Sequence, residues 1–182
     1  MQSKADIKRR HILDTAKQFI LENGFNSLTL ECVANNAGIS KGGLLYHFPN
    51  KEKLIIGIAE YIFTEFEQNF KKFGENQPDQ KGKWTRGFIE ASKADLTKNA
   101  ELYIGVLAAL NAGAEISDNL SEIYNSILEK LQDDEIDSVI VNTIRLAIDG
   151  IYYSQVLNVS PLEEVKVNEV IQQLMKMTRW EG

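Results

Sequence analysis

Residues 39–51 read ISKGGLLYHFPNK, and the way this stretch folds decides the first third of the chain. Leu44 and Phe48 stand four apart, and with Ile39 they supply the buried side of a short helix. The same spacing assigns the opposite face to three pairs: Lys41 with Leu45, Gly42 with Tyr46, and Gly43 with His47. As an isolated helix this one is badly built. Each glycine costs a helix interior about 1 kcal/mol relative to alanine. Lys41 and Lys51 both follow helix starts, where the dipole disfavours cations.

Outward from this stretch the chain reads as helix in both directions. On the N-terminal side, Thr29 can cap a helix containing Leu30, Val33, Ala34 and Ala37, with Glu31 favourably placed in its first turn. Ala34 is small where two helices must cross, and Gly38 permits the positive φ of a tight turn, so residues 29–48 have the proportions of a helix-turn-helix. Before it, Asp6 to Leu21 carries Ile12, Leu13, Ala16, Phe19 and Ile20 at helical spacing and stops at Asn23-Gly24. After it, Pro49 ends the short helix, and Asn50 can cap a long fourth helix through Leu54, Ile58, Ile62 and Phe66 to about Phe73.

The awkward chemistry of residues 41–51 suits a DNA groove. A helix lying in the major groove brings its N-terminal backbone close to base edges and phosphates, and missing Cβ atoms at Gly42 and Gly43 allow that approach. Lys41 and Lys51 are well placed if a phosphate sits there too. An exposed Leu45 can touch a thymine methyl, while Tyr46 and His47 can donate to phosphate oxygens. The plain alternative is a helix pair that never meets DNA, with Tyr46 filling a core edge.

Charge is split along the 182 residues. Residues 1–53 carry eight Lys/Arg against five Asp/Glu, a balance of +3, and residues 54–182 carry −9. A basic head on an acidic body expects only the head to meet a polyanion. The 43% hydrophobic and 25% charged content are those of an ordinary soluble domain. MQSKADIKRR at the start lacks a following apolar stretch, LYIGVLAALNAGA at 102–114 is too short to span a bilayer, and Cys32 is the single cysteine. The expectation is a cytoplasmic protein with no membrane partner.

GENQPDQKGK at 74–83 is the clearest loop. Beyond it, helical segments are expected near 83–98, 101–114, 118–132, 135–157 and 161–178, the last opened by a capping box at Ser160-Pro161-Leu162-Glu163. The segment 139–157 is apolar around much of its circumference, and Val167, Val170, Ile171, Leu174 and Met175 add a second stripe. Either an internal core or a homodimer interface of the two C-terminal helices covers both. The fold class expected is all-α: a three-helix DNA-binding head within residues 1–50, a connecting helix over 50–73, and a helical body over 74–182 for ligand binding and dimerisation, about nine helices altogether.

LTLECVANNAGISKGGLLYHFPNKEKLI at 28–55 resembles the DNA-binding head of the TetR family of bacterial transcriptional repressors. The matching residues are Thr29, Ala34, Gly38, Ser40, Lys41, Gly42, Tyr46, His47, Phe48 and Lys51. The resemblance implies DNA contacts at Thr29, Ser40, Lys41, Gly42, Leu45, Tyr46, His47 and Lys51. Gly43 departs from relatives that carry a side chain there. The resemblance further implies a homodimeric repressor of operator DNA that a small molecule releases. For that inducer, apolar or amphipathic, the residues to consider are Trp84, Phe88, Tyr103, Leu107, Leu110, Ile123, Tyr124, Ile127, Ile148 and Tyr152; taken singly, each reads more readily as core. Glu90, Asp95, Glu115 and Asp149 are the carboxylates that could face a cation, or plain surface groups.

Catalysis is not expected. Both histidines, His11 and His47, lie in the head, no Cys/His cluster has metal-ligand spacing, and no glycine-rich phosphate fingerprint occurs. No metal or cofactor is called for. Cys32 is a small buried hydrophobe or a redox-responsive thiol. A helical structural or division-associated DNA-binding factor without any inducer is the alternative to a repressor.

Overall fold

The computed structural model describes residues 3–96 and 118–179. Among them are eight α-helices, one 3-10 turn at Phe25–Ser27, and no strand. The helices are α1 (Lys4–Asn23), α2 (Leu30–Asn36), α3 (Lys41–His47), α4 (Lys51–Glu75), α5 (residues 83–96), α6 (Asp118–Gln132), α7 (Ser138–Val156) and α8 (Glu164–Met177). The all-α expectation holds. The helix expected over 101–114 lies outside the described residues.

The chain divides into two compact units, with divisions inside α4, between Ile62 and Phe63, and inside α6, between Leu120 and Ser121. In the first unit, α1 opens with a reciprocal cap: the Ser3 hydroxyl accepts from the Asp6 N–H at 3.1 Å, and the Asp6 carboxylate accepts from the Ser3 N–H at 3.0 Å. These hydrogen bonds hold the exposed Asp6 carboxyl below the ordinary carboxylate range. The core is then built from Ile12, Leu13, Ala16 and Ile20 of α1, Val33 and Ala34 of α2, Leu44 and Phe48 around α3, and Leu54, Ile58 and Ile62 of α4. Each fully buried aliphatic or aromatic side chain stabilises the unit by about 1.5–3 kcal/mol relative to exposure.

In the second unit Phe66 and Phe70 of α4 pack with Phe88 and Ile89 of α5, Ile123, Ile127 and Leu131 of α6, and Ile144 and Ile148 of α7. Val167, Ile171 and Leu174 of α8 close the same cluster, so the apolar stripe of α8 is used inside the chain. Asp134, in the α6–α7 turn, stitches this unit together. Its buried carboxylate accepts from the N–H groups of Trp84 at 2.8 Å and Thr85 at 2.6 Å, capping α5. Beside it lies the buried Arg86, which donates from Nε to Gln77 Oε1 at 3.0 Å and from a terminal nitrogen to the Asp79 carbonyl at 2.7 Å. Burial, with Arg179 close by, pushes the Arg86 guanidinium below its usual range.

The start of α8 differs from expectation. The helix begins at Glu164, with Glu163 as its N-cap and no side-chain capping bond, so the Ser160 box does not form. Ser160 has φ 47°, a left-handed conformation, whereas an N-cap residue needs extended backbone.

Candidate nucleic-acid interface

Local signals position α2 and α3. Thr29 is extended, and its hydroxyl accepts from the Cys32 N–H at 3.1 Å, starting α2. At the other end Gly38 takes φ 64°; its N–H donates to the Asn35 carbonyl at 3.2 Å while the Ile39 N–H reaches the Ala34 carbonyl at 3.0 Å. That pair of bonds is a Schellman ending, which reverses the chain within two residues. Ser40 then caps α3 by accepting from the Gly43 N–H at 3.1 Å, and Asn50 caps α4 by accepting from the Lys53 N–H at 2.8 Å. Thr29 and Ser40 are thus structural caps. Each hydroxyl keeps its own proton for donation to an outside acceptor.

Leu44 and Phe48 bury the inner face of α3 at 0% and 1% exposure, while Tyr46 stands 80% exposed. Lys41 and Gly42 are exposed, and Gly43, Leu45 and His47 are half-buried. The Tyr46 and His47 rings meet edge to face with centroids 5.1 Å apart. Lys51, in the first turn of α4, holds its ammonium 6.0 Å from the Phe25 ring centroid. Lys41 and Lys51 make no ion pair among the described residues.

Two glycines of α3 have different surroundings. A Cβ on Gly42 would meet nothing within 4 Å, whereas one on Gly43 would lie 3.2 Å from the capping Ser40 oxygen and 3.9 Å from Lys8 Nζ. Gly43 is explained within the chain; Gly42 is not.

Three supports escaped the sequence reading because their partners are distant along the chain. His11 Nε2 meets the Ala37 carbonyl at 3.1 Å, tying α1 to the end of α2. The Arg9 guanidinium lies 5.0 Å over the Phe48 ring and 3.6 Å from the Glu60 carboxylate. Phe48 seats against Gly57 of α4, where a Cβ would come within 2.6 Å of its ring.

In the body, Phe88, Ile123, Ile127 and Ile148 are buried in the core. Trp84 is half-buried between Phe70 and Lys130, whose ammonium sits 3.9 Å from the Trp84 ring centroid. The Tyr152 hydroxyl donates to Asp95 Oδ2 at 2.9 Å and approaches the Ser92 carbonyl at 3.3 Å. Tyr124 is exposed, and its hydroxyl lies 3.5 Å from Arg145. Tyr103, Leu107, Leu110 and Glu115 lie outside the described residues. None of the described ligand candidates lines the cavity of about 150 Å³ formed by Leu128, Leu131, Ser138, Val141 and Arg145. Ser92 is fully buried, and its hydroxyl has no hydrogen-bond partner among the described residues. Burial lifts the Asp149 carboxyl above its ordinary range, with Arg145 pulling the other way. No three His, Cys, Asp or Glu side chains among the described residues gather as a metal site, and no described helix is long and apolar enough to cross a membrane.

Fold and site together are those of an all-α helix-turn-helix regulator. Residues 12–58 match the family described as bacterial regulatory proteins, tetR family, and residues 82–179 match that described as tetracyclin repressor-like, C-terminal domain. The chain belongs to the TetR family of transcriptional regulators. It is similar to the HTH-type transcriptional regulator UidR of Escherichia coli K12, with 36% identity over 75 residues, 41% of this chain and 37% of UidR. To RutR of the same organism it is 38% identical over 69 residues, 38% of this chain and 32% of RutR. The matched segment spans only about a third of these relatives. Solved structures share the fold across nearly the whole chain. The fatty acid degradation regulator FadR from Bacillus halodurans superposes with a TM-score of 0.67 at 16% identity, covering 98% of this chain and 96% of FadR. The multidrug binding protein EbrR, complexed with ethidium, gives 0.65 at 21% identity, covering 92% and 98%.

Proposed function

We propose that the chain binds double-stranded operator DNA as a homodimer, represses transcription there, and is released by an apolar or amphipathic small molecule held in the body. The observation that carries the DNA contact is Gly42. It weakens a seven-residue helix, no neighbour among the described residues requires it, and it lies on the face opposite Leu44 and Phe48. A groove that must come close to the backbone supplies the missing reason. The other contacts proposed are Thr29, Ser40, Lys41, Gly43, Leu45, Tyr46, His47 and Lys51, with Gly43 acting through the Ser40 cap.

Dimerisation rests on α7. Val139, Leu146 and Tyr153 are 71%, 60% and 54% exposed and recur every seven residues, with exposed Asn142, Gly150 and Leu157 between and beyond them. That is the spacing of a helix seam awaiting another helix. Gly150, like Gly42, has nothing within 4 Å of its Cβ position. The α8 stripe being used internally, α7 carries the seam, joined by exposed Val165 near the start of α8.

For the ligand, the support is the buried Ser92 hydroxyl, without a hydrogen-bond partner among the described residues, near the Tyr152–Asp95 pair, a polar point able to orient a mostly apolar molecule. The bound ethidium of EbrR shows such a molecule in a protein of like fold. Helix α4 runs from the head unit into the body unit. A ligand that shifts α4 changes the spacing of two heads that must meet grooves roughly 34 Å apart.

The test is titration of DNA from upstream of the gene at two salt concentrations, with Lys41→Ala and Tyr46→Ala alongside the wild type. Tight binding that salt weakens and both substitutions reduce about tenfold or more supports α3 as the contact. Salt-sensitive binding indifferent to both substitutions moves the contact to another surface.

A further inference from the structure

We propose that Lys8 of α1 is a further DNA contact, neutralising a backbone phosphate beside the first turn of α3; this rests on the DNA-binding reading above. Lys8 is exposed, and its ammonium lies 3.9 Å from the point that a Cβ on Gly43 would occupy. That is ordinary van der Waals separation, so the ammonium lies alongside the first turn of α3.

Three other cations of α1 face different partners. Arg9 lies between Phe48 and Glu60, and Arg10 and Lys17 sit about the Tyr61 ring at 5.8 and 5.9 Å. Lys8 makes no ion pair among the described residues. Its ammonium lies beside a helix start that also carries Lys41. A polyanion docked on this face meets both cations. Glycine at 43 leaves the Ser40 cap undisturbed, with Lys8 at contact distance beside it.

The experiment measures affinity for a duplex that the wild-type protein selects from a random-sequence pool, across a salt series, for wild type, Lys8→Gln, Lys17→Gln and Lys41→Ala. Lys8→Gln is expected to weaken binding roughly fivefold on every sequence and to lower the salt slope by about 0.9 for each head on the DNA. Lys17→Gln, on the Tyr61 side, is expected to leave both unchanged. An unaltered slope with Lys8→Gln overturns the proposal, as does a loss confined to one base position. If the wild type selects no duplex, or Lys41→Ala has no effect, the underlying reading of α3 fails instead. Lys8→Gln lies on an exposed turn, and a thermal melt equal to wild type shows that the head is folded.

Discussion

A Cβ on Gly42 would meet nothing within 4 Å, and the position is in the first turn of a helix whose inner face is already satisfied by Leu44 and Phe48. On the proposed DNA contact, stability and function pull in opposite directions at this residue. Gly42→Ala is expected to stabilise the head by up to about 1 kcal/mol through helix propensity. It is expected to weaken DNA binding at least tenfold, because the methyl group stands where backbone and groove must meet. A thermal melt and a DNA titration on the same preparation decide the matter. A variant that melts higher and binds as tightly as wild type removes the close-approach argument. Gly43, its neighbour in sequence, obeys different constraints, since the Ser40 oxygen and Lys8 border it. Two adjacent glycines in a string of letters carry no mark of that difference. It depends on where α1 passes.

At the scale of elements, the head was legible because each of its joints is a local signal. Thr29, Gly38, Ser40 and Asn50 each bond within five residues of themselves, so residue type and spacing suffice to place α2, α3 and the start of α4. The body follows a different rule. The cap of α5 comes from Asp134, some fifty residues away, and nothing near Trp84 announces it. The Ser160 motif fails for the converse reason. Its letters are right, but the chain leaving α7 passes through positive φ at Asn158 and Ser160 and delays α8 to Glu164. Apolar spacing also could not separate core from ligand wall, since Phe88, Ile127 and Ile148 serve the packed interior at the same period a pocket lining would show. Asp134 is where the element-scale account is most exposed to test. Asp134→Ala leaves two N–H groups at the buried start of α5 without an acceptor and is expected to lower stability by about 2 kcal/mol. Asp134→Asn keeps one oxygen and is expected to lose about half as much. Urea unfolding measures both; equal, negligible losses would mean water serves the α5 start as well as the carboxylate does.

For the whole molecule, the proposed dimer makes DNA affinity depend on a surface far along the chain from α3. A head of +3 on a body of −9 binds a polyanion weakly by itself, and the net charge of −6 opposes any approach but one led by the head. Joining two heads compensates, because the second contact becomes intramolecular and raises affinity by roughly 10²–10⁴ without any new interaction with DNA. The seam proposed to join them is the α7 row of Val139, Leu146 and Tyr153. Leu146, 60% exposed in the single chain, stands in the middle of it. Leu146→Glu places a carboxylate in that seam on both copies, where two like charges face each other in an apolar setting. The variant is expected to sediment as a monomer, to keep the helical content and melting of its folded head, and to lose at least a hundredfold in affinity for a two-site duplex. Its affinity for a single half-site should match that of wild type, because α3 is untouched. Gln173→Glu, an exposed change on α8 of the same charge, controls for added acidity. A Leu146→Glu protein that remains dimeric places the seam elsewhere. One that is monomeric yet binds the two-site duplex at full strength would show that each head acts alone, and the spacing mechanism for release would then have nothing to act on.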